Sequence, residues 1–145
     1  MSDIAGLDPE ERLLLWMPVS FAGSAGTSLR ASLSPRPERI RRAAFSEWAA
    51  VADGCGFPVA TSDMVIGVSD HQRLHLWRPR FLRARPGAYA GWFPLARVAQ
   101  VAVARYGAVA RLTMLIDDGA LVAVESMRVG RLQRLAALVA EETDR

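Results

Sequence analysis

From Glu38 to Asp53 the apolar positions Ile40, Ala44, Trp48 and Val51 recur at three- and four-residue spacing, while Arg39, Arg41, Arg42 and Glu47 fall between them. That period predicts an amphipathic helix, with Gly54 placed to terminate it. Beyond Pro58 the period shortens to two. Met64 to Ser69 and Arg73 to Arg78 read as short strands joined by the hairpin turn Asp70-His71-Gln72. Trp92 to Leu95 reads as another short strand. Arg97 to Tyr106 alternates, with Val101, Val103 and Arg105 on one side and Gln100, Ala102, Ala104 and Tyr106 on the other, until Gly107 ends it.

The strongest local signal follows. Leu112, Met114 and Ile116 alternate with Thr113 and Leu115, Asp117-Asp118-Gly119 turns, and Leu121 to Glu125 returns. The last periodic run sets Val129, Leu132, Leu135, Ala136 and Val139 on one helical face, with Arg131, Gln133 and Arg134 on the solvent side. Such a helix must bury its stripe, and the sheet is the available partner.

Two segments resist assignment by period. Asp8-Pro9-Glu10-Glu11 carries a helix start, with Asp8 as N-cap, Pro9 at the first helical position and Glu11 completing a capping box. Yet Leu13 to Met17, continued by Val19 and Phe21, serves equally well as a buried strand. Residues 22 to 37 are rich in Gly, Ser, Ala and Pro and read as a flexible connection.

The strings "MVIGVSDHQRLHLWR", "GWFPLARVAQVAVARYG" and "ARLTMLIDDGALVAVES", followed by a closing helix, resemble small bacterial proteins with a pleckstrin-homology-like fold, found especially in actinobacteria. Ser69 to Leu74, Pro94-Leu95 through Val98 and Val101, and Asp118-Gly119 through Val124-Glu125 stand in the places of that family's hairpin, strand and second hairpin. The likeness covers residues 59 to 143. It implies a PH-like antiparallel sheet or partly closed barrel closed by the C-terminal amphipathic helix; with the about seven strands read from the periods and the inserted helix near residues 38–53, which has no counterpart in that family, the expected fold is α+β. It also implies a strand over residues 11–21, since a tertiary partner commonly overrides local propensity. The role implied is noncatalytic binding or scaffolding, although a fold alone does not fix a function.

The length of 145 residues suits a single domain, 1–145, and 51% apolar with 23% charged residues excludes disordered, collagen-like and coiled-coil classes. All eighteen basic side chains are arginine. A single cysteine, Cys55, rules out an intramolecular disulfide and a cysteine-based metal cluster. The start, Met1-Ser2-Asp3-Ile4, is acidic where a signal peptide is basic, and no apolar run is long enough to span a bilayer. Both observations predict a cytoplasmic protein, with a peripheral place at the inner membrane face as the variant.

Between Asp70 and Asp117 there is no acidic residue, while Arg73, Arg78, Arg80, Arg83, Arg85, Arg97, Arg105 and Arg111 lie there. The segment Trp77 to Pro86 interleaves Arg78, Arg80, Arg83 and Arg85 with aromatic and apolar groups, a composition suited to phosphate-bearing ligands or an anionic membrane surface. The competing expectation is that most of these arginines pair with carboxylates from other segments or keep the surface solvated. Nucleic acid is disfavoured, because no RNP-like motif, helix-turn-helix or zinc finger is present.

No catalytic set, cofactor motif or metal site is expected. His71 in a turn and His75 on a strand, with Cys55 as a loop thiol, lack ligand-rich spacing. Gly23-Ser24-Ala25-Gly26 is neither a nucleophile elbow nor a phosphate loop, and Asp117-Asp118 is explained by its turn. Trp16, Trp48, Trp77 and Trp92 are assigned to the core. A protein partner is therefore the leading expectation, with homodimerisation through a sheet edge or an apolar helix face as one form of it.

Overall fold

The computed structural model describes residues 4–21, 37–59, 61, 63–80 and 83–144. In it, β1 (Leu13–Phe21) is a strand, and the capping-box residues before it build a single turn. Glu11 N–H donates to the Asp8 carbonyl at 3.0 Å, and Asp8 N–H donates to Glu11 Oε1 at 3.1 Å. The helix does not propagate because Arg12 is already tied to the next hairpin: its N–H donates to Asp70 Oδ1 at 2.9 Å and its carbonyl accepts from Asp70 N–H at 3.0 Å. Local capping chemistry survives, and long-range pairing decides the element.

The other elements are α1 (Pro37–Cys55), β2 (Asp63–Ser69), β3 (Arg73–Arg80), β4 (Arg83–Pro94), a 3₁₀ turn (Leu95–Arg97), β5 (Val98–Tyr106), β6 (Val109–Ile116), β7 (Leu121–Ser126) and α2 (Val129–Thr143). The seven strands form one antiparallel sheet in the order β4-β3-β2-β1-β7-β6-β5. It is not closed, in keeping with the expected antiparallel sheet or partly closed barrel of about seven strands. β1 runs beside β2 from Leu13–Ser69 to Ser20–Asp63 but meets β7 only through Ser20 and Phe21, opposite Glu125 and Val124.

Both helices cover one face of the sheet. α2 buries Leu132, Leu135, Ala136 and Val139 against it, as the sequence period requires. α1 packs there through Trp48, Ala52 and Cys55, and Trp48 Nε1–H donates to the Ala123 carbonyl at 2.8 Å. A chain of ring contacts, Phe21–Phe45–Trp48–Phe57–Phe93, carries this contact across the sheet. Among the described residues no helix is long and apolar enough to cross a membrane.

Several expectations are corrected. Gly54 is helical, and the glycine that ends α1 is Gly56, with φ +83°. Phe57 N–H bonds to the Ala52 carbonyl and Gly56 N–H to the Asp53 carbonyl, the paired bonds of a Schellman motif. Cys55 is thus no loop thiol: it closes the helix, is buried, and its Sγ donates to the Ala52 carbonyl at 3.3 Å. The short strand at Trp92 is the end of the twelve-residue β4, and Trp92 is 45% exposed rather than core. Arg131 is not free in solvent, because its guanidinium donates to the Trp16 carbonyl at 2.7 Å. The connection expected over residues 22–37 lies outside the described residues except for Pro37, the first residue of α1.

β2 is the one strand buried continuously from Met64 to Ser69. Met64, Ile66 and Val68 join the core beneath the helices, whereas Val65, Gly67 and Ser69 alternate to the opposite face. What covers that second face is the segment before β1.

Candidate functional site

Residues 4–12 form a strap over the outer face of β2, β3 and β4. Trp77, fully buried but outside the helix-side core, donates from Nε1–H to the Ala5 carbonyl at 2.8 Å. Its ring lies over Gly67, where a Cβ would come 3.0 Å from Trp77 Cζ3 and 3.1 Å from Leu13 Cδ2. Gly6, at φ +87°, passes directly beneath the Tyr89 ring, which leaves no room for a side chain. His75 stacks on Trp77 with ring centroids 5.6 Å apart.

At the centre of this second core is the Glu11 carboxylate. It accepts from His75 Nε2 at 2.6 Å and, in a shorter contact, from the Ser69 hydroxyl. His75 Nδ1 lies 2.9 Å from the Tyr89 hydroxyl. Since a carboxylate can only accept, the Nε2 position carries a proton. Burial works most strongly against the Glu11 charge, but the hydrogen bonds from Ser69, His75 and the Asp8 backbone outweigh it, so the carboxyl lies below its ordinary value. Burial, followed by the Glu11 charge, pushes Tyr89 up to about 12. Tyr89 therefore stays a phenol at neutral pH.

Serine, histidine and carboxylate occur together here, but the connectivity is not that of an activated nucleophile. The Ser69 hydroxyl bonds to the carboxylate rather than to the imidazole, and both His75 nitrogens are already engaged. The set clamps the strap to β2, β3 and β4. Asp8, Glu11 and His71 also place potential ligand atoms within 4.8 Å of one another. Arg73 Nη1, however, lies 3.0 Å from Asp8 Oδ2 and 3.6 Å from Glu11 Oε1, so a guanidinium already supplies positive charge at that point. Cys55 is far from this group in the fold, at the end of α1 under the opposite face.

The arginines separate into two classes. Arg73 pairs with Asp8 and lies over the Trp92 ring at 4.5 Å; Arg97 pairs with Asp117 at 2.9 Å; Arg111 approaches Glu125 at 3.8 Å. The Asp117 carboxyl is held below its ordinary value chiefly by its hydrogen bond from Arg97. By contrast Arg78, Arg80 and Arg85 are exposed and make no ion pair among the described residues. They sit on the β3–β4 hairpin, where Arg80 pairs in register with Arg83, the first residue of β4. Arg80 also lines a cleft of about 440 Å³ whose walls include Asp63 and Glu125, which tempers the positive field on that side.

The two edges of the sheet differ in kind. The β4 edge carries Pro86 and Pro94, its register against β3 shifts three times, and Gly91 lies against Pro58. These are the features that blunt an edge strand. The β5 edge has none of them apart from one bulge near Ala99, and its only charged residue is Arg105. Val98, Val101 and Val103 turn toward the core, and Ala99, Gln100, Ala102 and Ala104 are exposed. Beside it runs a groove of about 220 Å³ between β5 (Val98 to Val101) and the end of α2 (Ala140, Thr143, Asp144). Sequence alternation identified β5 as a strand; only the strand order identifies it as an edge.

No family model matches the chain, and no curated protein matches it.

Proposed function

We propose that the protein is a noncatalytic binding module that receives an extended segment of a protein partner along β5. The observation that carries this reading is the undefended β5 edge with the α2 groove beside it. An edge strand presents unpaired N–H and C=O groups along one side, and an added strand satisfies them while neighbouring pockets read its side chains. Small exposed residues at Ala99, Ala102 and Ala104 leave such a strand close access. The pleckstrin-homology-like resemblance supports the same class of role, since that family implies binding rather than chemistry. The test is selection from a display library of extended peptides, followed by amide hydrogen exchange on the complex. Slowed exchange across residues 99–105 supports the reading, and selected peptides that leave those amides unprotected defeat it.

A second reading rests on Arg78, Arg80 and Arg85, exposed and without an ion pair among the described residues, together with Arg83 beside them in the sequence. Arg78, Arg80, Arg83 and Arg85 on one hairpin would recognise phosphate groups, most simply those of an anionic membrane surface. Cosedimentation with neutral and anionic vesicles across a salt series tests it, with all four arginines changed to alanine as the control. Binding to anionic vesicles alone, lost with salt and in the variant, supports this reading; absence of binding at low salt removes it.

A further inference from the structure

We propose that the strand received by the β5 edge is, in the protein on its own, β5 of a second copy, paired antiparallel about a two-fold axis near Ala102. The inference rests on the proposed role of that edge and names its occupant. Its basis is the self-complementarity of the strand.

Antiparallel two-fold pairing centred on Ala102 sets each residue against the one equally far beyond the axis: Gln100 against Ala104 and Ala99 against Arg105. At the axis the exposed side chain is Ala102, and the exposed Gln100 stands opposite the small Ala104, so the two backbones can approach to ladder distance without clash. The charges then fall into place. Arg105, the one charge on the strand, shares the helix-facing side with Val101 and Val103 by alternation. In the pairing it comes beside Ala99 of the second copy, one of the residues that line the groove together with Asp144 at the end of α2. Each arginine thus meets an exposed carboxylate and the negative end of a helix, and the two-fold axis makes that contact twice. The Tyr106 ring, 58% exposed and covered on one side by Arg111 at 4.9 Å, is carried toward Val98 of the second copy. The product is a continuous sheet of two copies with all its helices on one face. The β4 edges remain outermost, and those are the edges already blunted by proline.

The experiment is sedimentation velocity of the full chain over a broad concentration series, with Ala102→Lys, Arg105→Asp, and Arg105→Asp combined with Asp144→Arg. Because Ala102 is exposed, its substitution leaves the monomer intact while setting two like charges against each other at the axis. A dimer that Ala102→Lys weakens on the order of tenfold or more, that Arg105→Asp weakens less, and that the double reversal restores is the expected result. A dimer indifferent to Ala102→Lys overturns the proposal, because its interface lies elsewhere. A monomer at every concentration also overturns it, and peptide selection then decides the underlying reading. Selected peptides that protect β5 keep the edge as a site for other proteins, and their failure to do so removes both.

Discussion

His75 Nε2 lies 2.6 Å from the Glu11 carboxylate although the residues are 64 positions apart, and both side chains are fully buried. The contact joins the strap to β3. With the Ser69 hydroxyl on the same carboxylate oxygen, it makes Glu11 the group on which the outer face depends.

Stability should therefore carry an acid limb assigned to Glu11. Its folded pKa is depressed, so its contribution is fully present above the unfolded value of about 4.3 and is lost as pH falls through the folded value. Glu11→Gln preserves shape but removes the charge, and a cost of about 1–3 kcal/mol is expected at neutral pH. Urea titrations from neutral to acid pH check this. The variant should lose less stability than the natural protein on acidification, and parallel curves would show that other carboxylates govern the limb.

Gly6→Ala should loosen the strap without unfolding the helix-side core. The left-handed backbone at φ +87° disfavours any side chain, and the Tyr89 ring occupies the space a Cβ would take. Strain of about 1–2 kcal/mol at the least is expected. Fluorescence quenching by a neutral quencher reports on it, since Trp77 is shielded by the strap and should become accessible; Trp92, already exposed, supplies the constant background.

Leu132→Ala tests the opposite face. Leu132 is wholly buried between α2 and the sheet, so a loss of about 2–5 kcal/mol is expected, the range for a core leucine whose cavity does not collapse. Thermal unfolding should show the drop. The two faces are distant from each other, so Leu132→Ala and Gly6→Ala together should sum to within about 0.5 kcal/mol.

The parts of the fold that could be read from the sequence are those where one period runs without interruption. β6, its Asp117-Asp118-Gly119 turn, β7 and α2 alternate or repeat cleanly because each has one buried and one open face. β4 escaped because Pro86, Gly87 and Gly91 break its alternation at shifts in register. Trp92 was misplaced for the same reason: hydrophobicity assigns a side chain to the interior, but the register of β4 turns it out, under Arg73. The outer-face clamp was hidden more deeply. Glu11 carried a legible local role as a capping-box acid, and it performs that role toward Asp8. Nothing within a few residues shows that the same carboxylate also serves Ser69 and His75, since those partners arrive only when β2 and β3 pair. Likewise, composition marked the arginine-rich hairpin, yet the openness of the β5 edge is a property of strand order and has no signature within β5 itself.

The end of α1 gives the sharpest comparison between local signal and structure. Two glycines stand one residue apart, and the helix could in principle end at either. Gly54 is helical with no atom within 4 Å of where a Cβ would point, so Gly54→Ala should stabilise by about 0.5–1 kcal/mol through helix propensity alone. Gly56 adopts φ +83° as the turning residue of the Schellman motif, so Gly56→Ala should destabilise by about 1–2 kcal/mol from the left-handed backbone. The effect should spread, because Arg97 Nη1 donates to the Cys55 carbonyl at 2.6 Å while also holding Asp117 at the β6–β7 turn. Denaturation of the two variants side by side checks the pair, and hydrogen exchange at Phe57 and Asp117 checks the spread. Opposite signs place the helix end at Gly56, whereas stabilisation by both alanines would mean that α1 continues past it.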